Sequence, residues 1–378
     1  MRYLFRSLSA CVLTVFLVVL VAGVASAQQE STDRESTQPE STKPTTESTQ
    51  QQAGTQPESL IVRPDESIQE AVDTADPGDT IVVLGGVHRE TVVIEKDGIA
   101  LRGVDTSLRP PAEPAEGPCE GAGFCVLGDV DFDTSVVSRY VEDVSISGFR
   151  VRGFEFTGIV GFGTRDAKFV KNRTFNNGEY GITAFFSTGT QVISNVTSGS
   201  EDAGIYIGDS RRANATVAGN DTHDNALGVL VRNARRGQIV GNEAHDNCVG
   251  ILFVAGAPGP AGRFDVSTNT VRENTRSCPE TDEAPAFSGV GIGLLGATGV
   301  EISGNHILGN VASGPTEFEG GVVVVSSPID ETPPTDNSVF GNVILNNEPD
   351  IFWDETGSGN TFVGNDCETS DPEGLCEG

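Results

Sequence analysis

The sequence predicts an all-β solenoid, a parallel β-helix opened by a short capping helix, and three observations predict it. First, an Asn that closes a short apolar run recurs along the chain and is followed eight or nine residues later by Gly-Ile or Gly-Val. The clearest copies pair Asn172 with Gly181-Ile182, Asn195 with Gly204-Ile205, Asn220 with Gly228-Val229 and Asn242 with Gly250-Ile251. Asn269, Asn305, Asn342 and Asn365 continue the series. The spacing is about 22 to 27 residues, stretched to about 36 where loops are inserted, and a period of that order means stacked supersecondary units. Second, the apolar runs are short, β-branched and punctuated by Gly and Asn, which is the chemistry of strands and turns. Third, no repeat holds a helical run, which argues against leucine-rich, ankyrin and tetratricopeptide arrays. In a coil of this kind the Asn at an inward bend bonds backbone and the Asn of the next coil, forming a ladder with a step of about 4.8 Å. The Gly before Ile or Val supplies a turn where a side chain would clash or φ is positive.

Taken in order, residues 1–27 read as a secretory signal. Arg2 and Arg6 form the charged start, Ala10 to Ala22 the apolar segment, and Ala25-Ser26-Ala27 a small-residue cleavage site. Residues 28–58 reduce to Ser, Thr, Gln, Glu and Pro, a composition that cannot bury enough apolar surface to offset its ordering entropy, so a disordered tether is expected. Residues 59–378 form one elongated domain, since solenoids grow by adding coils. Within it, Ser67-Ile-Gln-Glu70 is a capping box opening a helix whose Ile68, Ala71, Val72 and Ala75 share a face, and Pro77-Gly78 stops it. Strands are expected at Thr80–Leu84, Thr91–Ile94 and Ile99–Gly103, followed by a loop-rich insertion from Asp105 to Asp143. The helix covers apolar groups that the first coil would otherwise expose. Further loops are expected near 276–287, 313–319 and 326–336, and loops on a rigid solenoid are where recognition sits.

The formal net charge is −30, and −32 once the two signal arginines are removed. That excess argues against nucleic acid and anionic membrane surfaces as partners and is compatible with calcium or a saline habitat. Nothing after the signal is apolar for long enough to insert in a membrane, so the mature chain is expected to be secreted or extracytoplasmic, with the tether as a means of surface association. A monomer is expected. Cys11 lies in the signal, and the six that remain, Cys119, Cys125, Cys248, Cys278, Cys367 and Cys376, read as disulfides in an exported protein. Six cysteines allow about 15 connectivities; proximity favours 119–125, 248–278 and 367–376.

The run from Ser67 through Pro77-Gly-Asp-Thr80 and Gly86-Val-His-Arg-Glu90, ending in Ile99-Ala-Leu-Arg-Gly103, resembles the opening of the pectin-lyase-like superfamily. The Asn and Gly-Ile repeats are similar to its right-handed parallel β-helix repeats, of the kind in NosD-type periplasmic proteins. The resemblance implies a right-handed coil and a superfamily that spans lyases, hydrolases, esterases, epimerases and non-enzymes. Its catalytic signatures do not carry over. His88 stands where the pectin methylesterase Gly-x-Tyr-x-Glu pattern has Tyr, and the pectate-lyase Arg-x-Pro-x-x-Arg and alginate-epimerase Asp-Pro-His-Asp patterns are absent.

Strand alternation names the outward positions. With Ile182, Ile205, Val229 and Ile251 inward, Thr183, Tyr206, Leu230 and Leu252 face out, as do Phe185, Gly208, Arg232 and Val254, with Asp209, Arg211, Arg212, Arg235 and Arg236 just beyond. An exposed Phe185–Tyr206 pair beside Arg211, Arg212 and Arg232 suits an acidic sugar chain, because rings stack on pyranose C–H faces and guanidinium forks grip carboxylates. The competing expectation is that a loop covers the aromatics and local acids pair the arginines. His223-Asp-Asn and His245-Asp-Asn occupy equivalent places in adjacent coils; with Asp209 they are candidates for general acid–base catalysis, against the simpler role of polar turns. Four His and a lone Met are poor material for a copper site, and no metal ligands are assigned. The reading is an exported polysaccharide-binding β-helix, with lyase, epimerase or hydrolase activity left open; a surface scaffold and a NosD-like periplasmic accessory protein are the alternatives.

Overall fold

A computed structural model describes residues 58–256, 259–281 and 284–377. The expected signal, and the tether except for its last residue, lie outside these. Among the described residues each full coil has three strands, as in Ala203–Gly208, Ala215–Ala218 and Asp221–His223, after which Leu227–Arg232 begins the next coil. The first strand of every coil joins an 11-stranded sheet, and the other two, separated by the Asn bend, join a 20-stranded sheet. The ladders between coils are parallel and hold register: Val192, Val217, Ile239, Val266, Ile302 and Val339 lie one above another. Ile159, Ile182, Ile205, Val229, Ile251, Ile292, Val322 and Ile351 form the matching stack in the other sheet. Both stacks are buried. The solenoid interior is therefore built on columns of like β-branched side chains, each coil stacking its apolar residues on those of the last.

The Asn ladder forms as expected and runs unbroken from Asn172 to Asn365. In the middle, Asn220 donates its backbone N–H and its amide Nδ2 to Asn242 Oδ1, each at 2.9 Å, and Asn242 repeats both bonds to Asn269. Each amide also donates back to a carbonyl of the preceding coil, as Asn220 does to Val192 at 2.8 Å. A second ladder stands at the turn after the third strand, through Asn225, Asn247, Asn274, Asn310 and Asn347, closed by Asp350. Asn225 and Asn247 are thus the last residues of the two His-Asp-Asn runs, and their Asp224 and Asp246 hold the left-handed backbone of the turn (φ 56 and 53).

The capping helix spans Ile68–Thr74 and buries Ile68 and Val72. Ser67 Oγ accepts from the Glu70 N–H at 3.2 Å, but the reciprocal partner is Glu90, which accepts from the Ile68 and Gln69 N–H groups and from the Ser67 hydroxyl. Glu90 reaches the helix start from the next strand, satisfying more orphan donors than Glu70 would, at the positive end of the helix dipole. The expected loop from Asp105 to Asp143 is corrected. The strands lengthen to Thr80–Arg89 and Ala100–Arg109, Ala122–Leu127 joins the 11-stranded sheet, and Asp129–Asp131 pairs antiparallel with Val136–Arg139. All three cysteine pairs form as proximity predicts. No helix among the described residues is long and apolar enough to cross a membrane.

Candidate functional site

The outer face of the 11-stranded sheet carries the two outward columns that alternation predicts. Val160, Thr183, Tyr206, Leu230 and Leu252 are in register, as are Phe162, Phe185, Gly208, Arg232 and Val254. The expectation of a solvent-facing aromatic pair is corrected: Phe185 and Tyr206 point outward but are 1% and 5% exposed. Phe185 stacks on Phe162 at 5.4 Å and meets Tyr206 edge-on at 4.9 Å, while Tyr180 lies 5.2 Å from Tyr206. Phe132, carried by the antiparallel hairpin, closes on Phe162 at 5.2 Å. Apolar rings gain more by packing on one another than by facing water. Tyr180 and Phe132 escape the sequence reading because one opens a strand and the other sits in an insertion with no periodicity. Gly208 is required under the Tyr206 ring, since a Cβ there would stand 2.6 Å from its Cζ.

The C-terminal edge of this sheet is different in character. Asp209 leaves the strand with left-handed backbone (φ 47), donates its N–H to the Arg232 carbonyl at 3.0 Å and accepts from Asn233 Nδ2 at 3.1 Å. Burial pushes the Asp209 carboxyl up, against the lowering influence of Asn233 and Arg232. Burial also holds the Tyr206 phenol well above its usual range, aided by Asp209 and opposed by Arg232, and Tyr180 is raised by burial and by Asp202. Arg211 and Arg212 project from the same turn, exposed, with Arg235, Arg236 and Arg263 in the coils that follow. Arg235 is lowered by burial and by the like charges of Arg263 and Arg236.

Among the described residues none of these six arginines forms an ion pair. The expectation that local acids pair them is overturned. Thr183 Oγ1, Arg232 Nε, Asn233 Oδ1 and Arg235 Nε are buried without a protein hydrogen-bond partner, so these polar groups are open to pairing with solvent or a ligand. Arg263 is missed by the sequence reading because it lies past a loop, out of phase with the other turn residues.

The two candidate histidines lie elsewhere. Their rings stack at 5.1 Å on the outer face of the 20-stranded sheet. His223 Nδ1 faces Asp224 at 2.9 Å; His245 is held between Asp246 at 2.6 Å and Asp221 at 3.2 Å. They precede the strands of the 11-stranded sheet, whereas Asp209 follows one, so a strand of six residues, roughly 20 Å, intervenes. Asp209, His223 and His245 are therefore not one catalytic set. Among the described residues no three His, Cys, Asp or Glu side chains are grouped so as to hold a metal ion.

These coils define the right-handed parallel β-helix, the fold that pectin-lyase-like and NosD-like proteins share. The sequence profile of the family described as "Right handed beta helix region" matches residues 157–327. Among solved structures, the mannuronan C-5 epimerase AlgE4 A-module of Azotobacter vinelandii is similar at 15% identity, with a TM-score of 0.54 over 80% of this chain and 91% of that one. The DFA-IIIase of Arthrobacter chlorophenolicus A6 aligns at 14% identity and a TM-score of 0.56 over 79% of this chain and 87% of that one. The Dettilon tailspike protein aligns at 14% identity and 0.51 over 83% of this chain and 60% of that one. At these identities the likeness establishes the fold. No curated protein sequence matches.

Proposed function

We propose that the protein is an extracytoplasmic β-helix that binds an acidic polysaccharide along the arginine ridge at the edge of the 11-stranded sheet. The observation that carries this reading is the set of unpaired arginines, with Arg232 Nε and Arg235 Nε buried and partnerless, beside Asp209 and Tyr206. Guanidinium forks that form no close ion pair with a protein carboxylate are suited to bidentate contact with the carboxylates of a uronate chain. The signal-like first 27 residues and three disulfides support export to an oxidising compartment. Similarity in fold to a protein named as a mannuronan C-5 epimerase adds weight to the substrate class.

If the site turns over its ligand, the chemistry it favours is proton removal next to a carboxylate, the first step shared by uronate lyases and epimerases. Arg232 would neutralise the carboxylate and so acidify the adjacent C–H, with Asp209 and Tyr206 as the titratable groups beside it. The separation of His223 and His245 from this edge favours a second reading, binding without turnover by a rigid surface scaffold. Titrating the protein with polymannuronate, polygalacturonate and neutral dextran, while recording the absorbance of unsaturated products and the C5 configuration by NMR, tests both. Binding of the uronates that is lost in Arg232→Ala supports the proposal, product formation decides for an enzyme, and equal or absent retention of all three glycans overturns it.

A further inference from the structure

The wall formed by the third strands changes sign along the solenoid. Parallel register stacks Ser107, Arg150, Arg173, Val196, Asp221 and Glu243 in one outward column. The neighbouring outward column starts with Arg89 paired to Arg109, continues at Arg152 and Phe175, and reaches His223 and His245. The first coils are thus basic and the middle coils carry carboxylates. The basic end also departs from the repeat. The residue before the ladder Asn is left-handed in successive coils: Gly at 219, 241, 304, 341 and 364, Ser at 194 and Thr at 268, and at the basic end the cationic Lys171 (φ 54). Where the ladder would begin one coil earlier stands Phe149, whose N–H donates to Asn172 Oδ1 at 3.1 Å, and the strand register shifts between Arg102 and Thr106.

Beside that shift lies an open cleft of about 170 Å³ lined by Asp105, Gly148, Phe149, Arg150, Lys171 and Arg173. Asp105 is its one carboxylate, 85% exposed and 3.7 Å from Arg150. Among the described residues Lys171, Arg173, Arg89, Arg109 and Arg152 have no ion pair, and Arg109 Nε is buried without a partner.

We propose that this basic end is a second anion-binding surface, separate from the arginine ridge, that takes two or three consecutive residues of a linear polyuronate laid along the solenoid axis. Strand stacking sets the arginines at steps of about 4.8 Å, a spacing commensurate with the advance per sugar in an extended chain of 1,4-linked pyranoses, so the carboxylates on the side of the chain that faces the wall can meet the forks. Arg150 and Arg173 stand one such step apart in one column and Arg89 and Arg109 in its neighbour, which limits the bound segment, and Asp221 and Glu243 further along the Arg150 column repel its continuation. Duplex nucleic acid is disfavoured, because the remaining surface of a chain of net charge −30 would repel its dense phosphates.

The test is isothermal titration of the full chain with trigalacturonate at low ionic strength, comparing wild type with the triple variant Arg150→Val, Lys171→Gly, Arg173→Val. The replacements are residues found at these places in other coils, so the fold is expected to persist, with circular dichroism melts as the check. Lys171→Gly alone is the fallback, at a position where Gly suits the backbone. We expect two binding events in wild type, one weakened at least tenfold in the triple variant and about threefold in Lys171→Gly, while Arg232→Ala leaves that event unchanged. A single event insensitive to these substitutions, equal binding of maltotriose, or tighter binding of a DNA duplex than of trigalacturonate would overturn the proposal. Loss confined to Arg232→Ala would refute this surface and leave the ridge standing; the converse would refute the ridge alone.

Discussion

The Asn bend and the arginine ridge lie on the same coils and solve opposite problems. At the bend, Asn242 accepts two hydrogen bonds from Asn220 and donates to Val217 and Asn269, so every polar atom of a buried amide is used. At the ridge, Arg232 and Arg235 bury Nε atoms that have no protein hydrogen-bond partner, and burial together with the like charges of Arg263 and Arg236 presses Arg235 down. The bend is what a solenoid needs in order to repeat; the ridge contributes backbone bonds between coils but leaves its guanidinium groups without carboxylate partners in ion-pair range. That difference separates residues kept for architecture from residues available for binding, although both come from equally regular positions in the sequence.

The sharpest way to break the comparison is at the bend. Asn242→Ala removes the acceptor of the Asn220 N–H and of one of the two Asn220 amide hydrogens, and the side-chain donor to the Val217 carbonyl, and should destabilise the domain by about 3–5 kcal/mol. Urea unfolding followed by circular dichroism would show it, and a loss below about 1 kcal/mol would mean that the ladder is not what holds the coils. Next comes the Cys248–Cys278 bridge, which ties an inserted loop to the coil across a separation of 30 residues. Its replacement by two alanines should cost about 2–4 kcal/mol, read as a lower urea midpoint, and should leave uronate binding at the ridge intact. At the ridge itself the order reverses. Arg232→Ala should leave the melting temperature unchanged or raised, yet weaken polyuronate binding about tenfold, equivalent to about 1.4 kcal/mol; a marked loss of stability would make Arg232 structural.

The smallest effect is a pH dependence at Asp209. Its folded carboxyl is raised, mainly by burial, so the native state holds the proton more tightly than the unfolded state does. Its contribution to stability is therefore greatest below the ordinary carboxylate range and is lost as pH rises through the raised value. Asp209→Asn keeps an oxygen for Asn233 and removes the charge, so it should melt slightly higher than wild type at neutral pH, with the gap closing on acidification. Melting curves across that range that run parallel would refute the burial of this charge.

Much of the fold was legible because its logic is local and repeated. The Asn spacing located the bends from 172 to 365, and the apolar column from Val192 to Val339 follows from the residues just before each Asn. The second ladder was hidden in plain composition, since Asn225 and Asn247 sit beside histidines that draw attention to themselves. Alternation placed Phe185, Tyr206 and Arg232 on the outer face correctly. It had no means of showing that Phe162, Tyr180 and a hairpin carrying Phe132 would close over the rings, because these come from two different coils and an insertion.

The sequence by itself determined the coil: its period, its bends, its inward columns and its disulfide pairs, all of which depend on neighbours close in the chain or one repeat away. Only the tertiary structure decided what the outer surface does. It buried the expected aromatics, left six arginines without an ion pair among the described residues despite an excess of acids, set Asp209 a strand's length from His223 and His245, and stacked Arg89 on Arg109 and Arg150 on Arg173 at one basic end. The physical reason is that periodicity fixes which way a side chain points, whereas its solvent, its charge partners and its neighbours across the stack are set by coils and loops that share no local signal with it.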